Sequence, residues 1–146
     1  MWRKLIATPA TWVPLPLRIA LGIIMFAHGA QKVLGLYGGR GWSAWVAGEA
    51  PLGLRPSWLW LGAAAISEFL GGILIFFGVL TRVGALGAAL TMLVAVIGVN
   101  WGAFFANNRG IEFPFALLMM AVTLIITGGG QASIDRFLMH PRDRRR

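Results

Sequence analysis

Three ionisable side chains stand inside the apolar part of this sequence, where charged groups are costly and therefore informative. His28 and Lys32 are four residues apart, and Glu68 lies in the next apolar segment. Residues four apart share one face of a helix, so the imidazole and the ammonium would lie one turn apart. A carboxyl and an imidazole can both change protonation near neutral pH when their surroundings shift them. The pattern predicts a proton-handling or ligand-binding site with Glu68 and His28 as its catalytic residues.

Further polar residues are predicted to bind the substrate around this pair. They are Gln31, Lys32, Asn100, Trp101 and Glu112. If successive helices alternate in direction, all of these groups can converge on the outer half of one bundle. The alternative is a structural polar network that fixes helix order, worth roughly 1–2 kcal/mol per hydrogen bond. No metal site is expected.

The composition places these residues in a lipid bilayer. Of the 146 residues, 58% are hydrophobic and 12% are charged, whereas a soluble domain carries roughly 25% charged residues. A spanning helix needs about 20 apolar residues. We expect four such helices, at about 17–36, 58–80, 83–105 and 113–127. The predicted fold is all-α: one polytopic membrane domain, residues 1–146, built as an antiparallel four-transmembrane-helix bundle.

The connections are predicted from local signals. Thr81 is placed to cap the third helix, so a tight turn joins the second and third helices. The only long connection, residues 37–57, holds Trp42 and Trp45 three apart, as on one helical face. This spacing favours an interfacial half-helix in an aromatic belt. A lid over a ligand is the alternative.

The basic residues predict the orientation, because their excess lies on the cytoplasmic side of a membrane. One side of the predicted bundle carries Arg3, Lys4, Arg18, Arg82, Arg136, Arg142, Arg144, Arg145 and Arg146; the other carries Lys32, Arg40, Arg55 and Arg109. Both termini are therefore expected in the cytoplasm, and residues 135–146 form a solvated basic tail. Arg18 is interpreted as an anchor that extends to the interface. A cleaved signal peptide is disfavoured, because prolines and Arg18 interrupt its apolar core.

Cysteine is absent, which excludes disulfides, iron–sulfur clusters and a dithiol relay within this chain. With only two histidines, His28 and His140, paired haem ligation inside the bilayer is disfavoured. The net charge of +8 comes mostly from residues that flank apolar segments, so nucleic acid is not an expected partner.

Three groups of residues resemble the DoxX family. They are Arg18-x3-Gly22 with Phe26-Ala27-His28-Gly29-x2-Lys32 and Gly35-x2-Gly38-Gly39; Glu68-x2-Gly71-Gly72-x5-Gly78-x2-Thr81-Arg82; and Gly128-Gly129-Gly130-x2-Ser133-x-Asp135. The likeness spans about residues 15 to 137. It implies a four-helix protein of the bacterial inner membrane. It also implies a link to quinone-coupled redox chemistry, since relatives include membrane subunits of thiosulfate:quinone oxidoreductase.

Three functions are consistent with these observations. The first is a quinone-linked membrane oxidoreductase, or a membrane subunit of one, in which the polar cluster handles protons. Its partner would be a redox subunit or a second copy of the chain. The second is a non-catalytic anchor for a redox or stress enzyme. The third is a small, oligomeric, proton-coupled transporter.

Overall fold

Residues 6–139, which the computed structural model describes, form six α-helices and no strand. The helices are α1 (Pro14–Val33), α2 (Gly41–Val46), α3 (Ser57–Phe77), α4 (Thr81–Val94), α5 (Glu112–Thr127) and α6 (Ile134–Met139). A π-helical turn, Ala95–Val99, continues α4, and short 3₁₀ turns occupy Pro51–Gly53 and Ala106–Asn108. The all-α class is confirmed.

Within residues 6–139, two helices are long and apolar enough to cross a membrane: Ser57–Phe77, and α4 with its π turn, Thr81–Val99. The apolar helix α5 is shorter. The third predicted helix was expected to continue to residue 105, but helical structure ends at Val99. The backbone turns there because Gly102 adopts a φ of +109° and the next residues pair across a loop, where the amide of Ile111 donates to the carbonyl of Ala103.

Helix α1 begins and ends earlier than the predicted range of 17–36. Pro14 and Pro16 occupy its first turn, where the missing proline N–H costs no intrahelical hydrogen bond. The helix ends at Val33, and Gly35 follows in the left-handed region with a φ of +70°. The short helix α2 contains Trp42 and Trp45, so the helical part of the prediction for the first long connection is confirmed.

Glycines bring neighbouring antiparallel helices into backbone contact. A Cβ at Gly29 of α1 would lie 2.3 Å from the amide nitrogen of Phe69 in α3, and one at Gly72 would lie 2.4 Å from that of Phe26. A Cβ at Gly84 of α4 would lie 3.0 Å from the carbonyl oxygen of Gly71 in α3. Larger residues would separate these helices, so the glycines fix the distance between the side chains that α1 and α3 present to each other.

Arg18 ties one end of the bundle together and is buried. Its Nε donates to the carbonyl of Ile75 (2.9 Å) and its Nη2 to that of Phe76 (2.7 Å). Its Nη1 donates to Gly129 (2.9 Å) and Ala132 (2.8 Å). The interpretation of Arg18 as an interfacial anchor is therefore wrong. Backbone donors run out at the end of a helix, and the guanidinium donates to the carbonyls there, although that of Ile75 also accepts from the amide of Gly78 (3.1 Å).

Asp135 caps α4 from the far end of the chain. Its Oδ1 accepts from the amide of Leu80 (2.7 Å), and its Oδ2 accepts from the amide (2.9 Å) and hydroxyl (2.7 Å) of Thr81. The prediction that Thr81 caps this helix is wrong, because Thr81 is its first residue and its hydroxyl is a donor to Asp135. A carboxylate at a helix N-terminus also interacts favourably with the helix dipole.

Part of the predicted basic tail is helical. Residues 134–139 form α6, and Asp135 is buried, so the expectation of a fully solvated arm from residue 135 is wrong. Residues 140–146 of that tail, together with Arg3 and Lys4, lie outside the described residues.

We expect Arg18→Lys to lower the midpoint of thermal unfolding in mild detergent by roughly 10 °C. Lysine has one compact donor group, so it leaves several of the four carbonyls buried without partners, at about 1–3 kcal/mol each. Arg40→Lys, at an exposed position, is the control and should leave the midpoint unchanged. Equal midpoints for the two variants would contradict the role assigned to Arg18.

Candidate functional site

The predicted site contains an ion pair between α1 and α3. The Nζ of Lys32 donates to both carboxylate oxygens of Glu68. The Glu68 side chain is 2% exposed and the Lys32 side chain 18% exposed. A charge in an apolar interior must be paired or neutralised. Each residue therefore supplies the counter-charge that the other requires.

Trp45 of α2 covers this ion pair. The Lys32 ammonium lies 4.7 Å from the centroid of its indole ring, within the range of a cation–π contact. The indole N–H donates to the carbonyl of Leu61 in α3 (2.9 Å), which fixes the ring in place. A Cβ at Gly62 would lie 3.2 Å from the Trp42 ring, so the second tryptophan of α2 also packs on α3. The first long connection is thus held against the site.

A cavity of about 920 Å³ extends from the ion pair between the helices, a volume typical of small-molecule sites. Its polar and charged wall residues are His28, Lys32, Ser67, Glu68, Thr91, Asn100 and Arg109. Apolar side chains form much of the remaining wall, including Met25, Leu61, Met92 and Leu117. The cavity therefore combines apolar walls with a few convergent polar groups, as ligand sites do.

Four of the predicted site residues line this cavity: His28, Lys32, Glu68 and Asn100. His28 is exposed on the wall, with its ring centroid 6.3 Å from that of Phe113. Among residues 6–139, no hydrogen bond joins His28 to Glu68, whose carboxylate is engaged by Lys32. A molecule in the cavity would therefore lie against both groups without displacing a contact between them.

The other three predicted residues lie away from the cavity wall. The Gln31 amide donates to the carbonyl of Tyr37 (3.3 Å). Trp101 is exposed in the loop that begins where the π turn ends. Glu112 accepts from the amide of Ala106 (2.9 Å) and so stabilises that loop. The structure therefore does not bring these three side chains to the cavity, and for Trp101 the reason is that helical structure ends at Val99.

Trp45 and Arg109 also lie on the wall; their residue types suit an aromatic slot and a positively charged outer surface, but neither was predicted as a catalytic or substrate-binding residue. Arg109 lies in the loop after the π turn with a φ of +56°, and its carbonyl accepts from the side-chain amide of Asn100 (2.8 Å). A loop has no hydrophobic period to place such a residue. For Trp45 the three-residue spacing from Trp42 was a signal of a shared helical face, but only the packing of α2 on α3 brings the ring to Lys32.

Residues 13–101 match the family model described as DoxX. The chain belongs to the DoxX family. The matched segment runs from the start of α1 to the end of the π turn and includes the Lys32–Glu68 pair and His28. Membership places this protein among membrane-associated proteins.

Two relatives of this DoxX protein extend the comparison. CatD of Bacillus subtilis, whose name assigns it provisionally to the oxidoreductases, is 37% identical over 122 residues, or 84% of each chain. An uncharacterized protein of Haemophilus influenzae is 30% identical over 127 residues, covering 84% of this chain and 80% of its own. No solved structure matches the chain significantly.

We expect Lys32→Met to cost roughly 3 kcal/mol of folding free energy, because it leaves the Glu68 carboxylate buried without a counter-charge. The double variant Lys32→Met, Glu68→Gln removes both charges and should recover a large part of that loss. Unfolding midpoints of the two single variants and the double variant, measured in the same detergent, check this. Losses that simply add in the double variant would show that the two side chains do not stabilise each other.

Proposed function

We propose that this DoxX protein is a quinone-linked membrane oxidoreductase or the membrane subunit of one. The observation that carries the proposal is the buried Lys32–Glu68 ion pair in the wall of a largely apolar cavity. A quinone has an apolar ring with two oxygen acceptors, which fits such a wall. The provisional oxidoreductase name of CatD supports the same reaction class.

The residues on the wall have complementary tasks in this proposal. A quinone supplies the capacity to accept two electrons and two protons. Lys32 has three N–H donors and can direct one to a ring oxygen while Glu68 still balances its charge. His28 can hold a proton for transfer to an oxygen, and the Glu68 carboxylate can accept a proton and pass it on, after which it again balances Lys32. Trp45 and Phe113 offer flat apolar surfaces for the ring. Electrons come from a reduced substrate or a partner redox subunit.

We further propose that α1, α3, α4 with its π turn, and α5 all span the bacterial inner membrane. Helix α1 has 20 residues, which gives a length of about 30 Å, the thickness of the hydrocarbon core. Helix α5, with 16 residues, is shorter by about 6 Å, a mismatch that local thinning of the bilayer accommodates. The positive-inside rule then places both termini and Arg18 at the cytoplasmic side, with the ion pair toward the outer side.

The test is retention of quinone by the purified protein in mild detergent, measured by mass spectrometry. We expect the wild type to retain quinone and Glu68→Gln to retain roughly tenfold less. The loss of one charge-assisted hydrogen bond at the site weakens binding by about that factor. Glu49→Gln is the matched control, because Glu49 is an exposed carboxylate outside the cavity wall.

A folded wild type without quinone would contradict the proposal and favour the non-catalytic anchor. Equal retention of quinone by the wild type, Glu68→Gln and Glu49→Gln would also contradict it. If Glu68→Gln fails to fold, the double variant Lys32→Met, Glu68→Gln replaces it. That variant leaves no unpaired charge at the site and should lose quinone in the same way.

A further inference from the structure

The cavity passes between α3 and α4 to the outside of the bundle. Its wall includes Met92, which is 8% exposed and belongs to the core, and Leu90, which is 57% exposed. Residues two apart on a helix point in nearly opposite directions, because each residue turns the helix by about 100°. A space that touches both side chains must run past the edge of α4 that faces α3.

The two helices close together below this opening. A Cβ at Gly84 would lie 3.0 Å from the carbonyl oxygen of Gly71, and one at Gly87 would lie 2.5 Å from the Ser67 hydroxyl. The Thr91 hydroxyl donates to the carbonyl of Gly87 (3.0 Å), and its oxygen lies 3.4 Å from that of the Ser67 hydroxyl. Further toward the outer end, α3 presents small side chains to the cavity. They are Ala63 and Ala64, which leave the space between the helices unfilled.

The opening is apolar on its outer side. Leu90 and Leu93 of α4 and Ile97 of the π turn follow one another at three- and four-residue spacing, so they lie on one side of this continuous helical segment. All three line the cavity and are exposed. Nearer the loops, Pro51 and Leu54 form a roof. A Cβ at Gly98 would lie 2.8 Å from the Leu52 side chain, so this roof packs on the π turn.

We infer that this opening is a lateral portal from the bilayer, and that the site takes a quinone whose long polyprenyl tail lies in the portal. The inference rests on the proposed function and narrows its substrate class. The polar head reaches Lys32 and Glu68, where it finds hydrogen-bond donors and acceptors. A tail too long for the cavity leaves between α3 and α4, where apolar side chains need no hydrogen bonds from it. Short, water-soluble quinones gain nothing from this route.

The test uses two photoreactive probes in lipid nanodiscs: a long-tailed ubiquinone with a diazirine on its tail, and a phosphatidylcholine with a diazirine on an acyl chain. Sites of labelling are mapped by mass spectrometry, with and without excess unlabelled long-tailed ubiquinone. Binding of a ubiquinone analogue with one isoprene unit is followed in parallel, by quenching of tryptophan fluorescence. The probes separate a quinone tail from an ordinary acyl chain, which shares the same apolar chemistry.

Matched variants decide where the tail lies. Leu90→Trp fills the portal, whereas Leu86→Trp adds the same group one turn earlier on α4, at a side chain that is 51% exposed and outside the cavity wall. Ala63→Phe and Leu70→Phe form a second pair on α3, where Ala63 lines the cavity and Leu70 does not. All four positions are exposed, so larger side chains do not have to enter the core.

We expect the quinone tail to label the segment from Leu90 to Ile97, with competition by unlabelled long-tailed ubiquinone. Leu90→Trp and Ala63→Phe should reduce that labelling roughly tenfold while leaving binding of the short analogue within about twofold. Leu86→Trp and Leu70→Phe should behave as the wild type.

Two results would overturn the portal while leaving the proposed function standing. In the first, the wild type binds both quinones, but the quinone tail labels residues outside the segment from Leu90 to Ile97, or labels that segment equally in Leu90→Trp. The second is labelling of the α4 segment by the phospholipid alone, without competition by quinone. If neither quinone binds the folded wild type, the proposed function itself fails.

Discussion

A charge or backbone dipole that is removed from water must have a partner within the protein, and this constraint organises both ends of the bundle. At one end Arg18 donates to four carbonyls and Asp135 accepts from the start of α4. At the other end Lys32 and Glu68 satisfy each other. These contacts join residues far apart in the sequence, so they also determine which helices are neighbours.

The two ends differ in what their partners can do. Arg18 and Asp135 are bound mainly by backbone groups, which belong to the helices and cannot be exchanged. Lys32 and Glu68 are bound by side chains that border a cavity, where a ligand can share or replace a hydrogen bond. The contacts of Arg18 and Asp135 suit a rigid structural end of the bundle. Those of Lys32 and Glu68 leave side-chain groups that a ligand can contact. The same physical constraint thus yields a structural site and a candidate reactive site in one short chain.

Much of this arrangement was predictable from residue types. Apolar runs predicted where the main helices lie, and the cost of burying charge singled out His28, Lys32 and Glu68. Helix rotation was not predictable, because hydropathy does not specify which side chains face each other. Arg18 was misjudged since its acceptors are carbonyls, which every residue has and no sequence pattern marks. The π turn and the loop after it removed Trp101 and Glu112 from the cavity wall, because a local change of backbone geometry is invisible in an uninterrupted apolar run.

The π turn at Ala95–Val99 makes the geometry of the cavity sensitive to the number of residues at the end of α4. A π turn holds one residue more than the α-helix needs, so deleting one residue there would let α4 continue as regular helix and rotate all that follows by about 100°. Asn100 and the loop carrying Arg109 would then face a different part of the site. Deletion of a single residue at this turn would thus change the cavity wall formed by the later residues while leaving α1, α3 and the preceding part of α4 as they are.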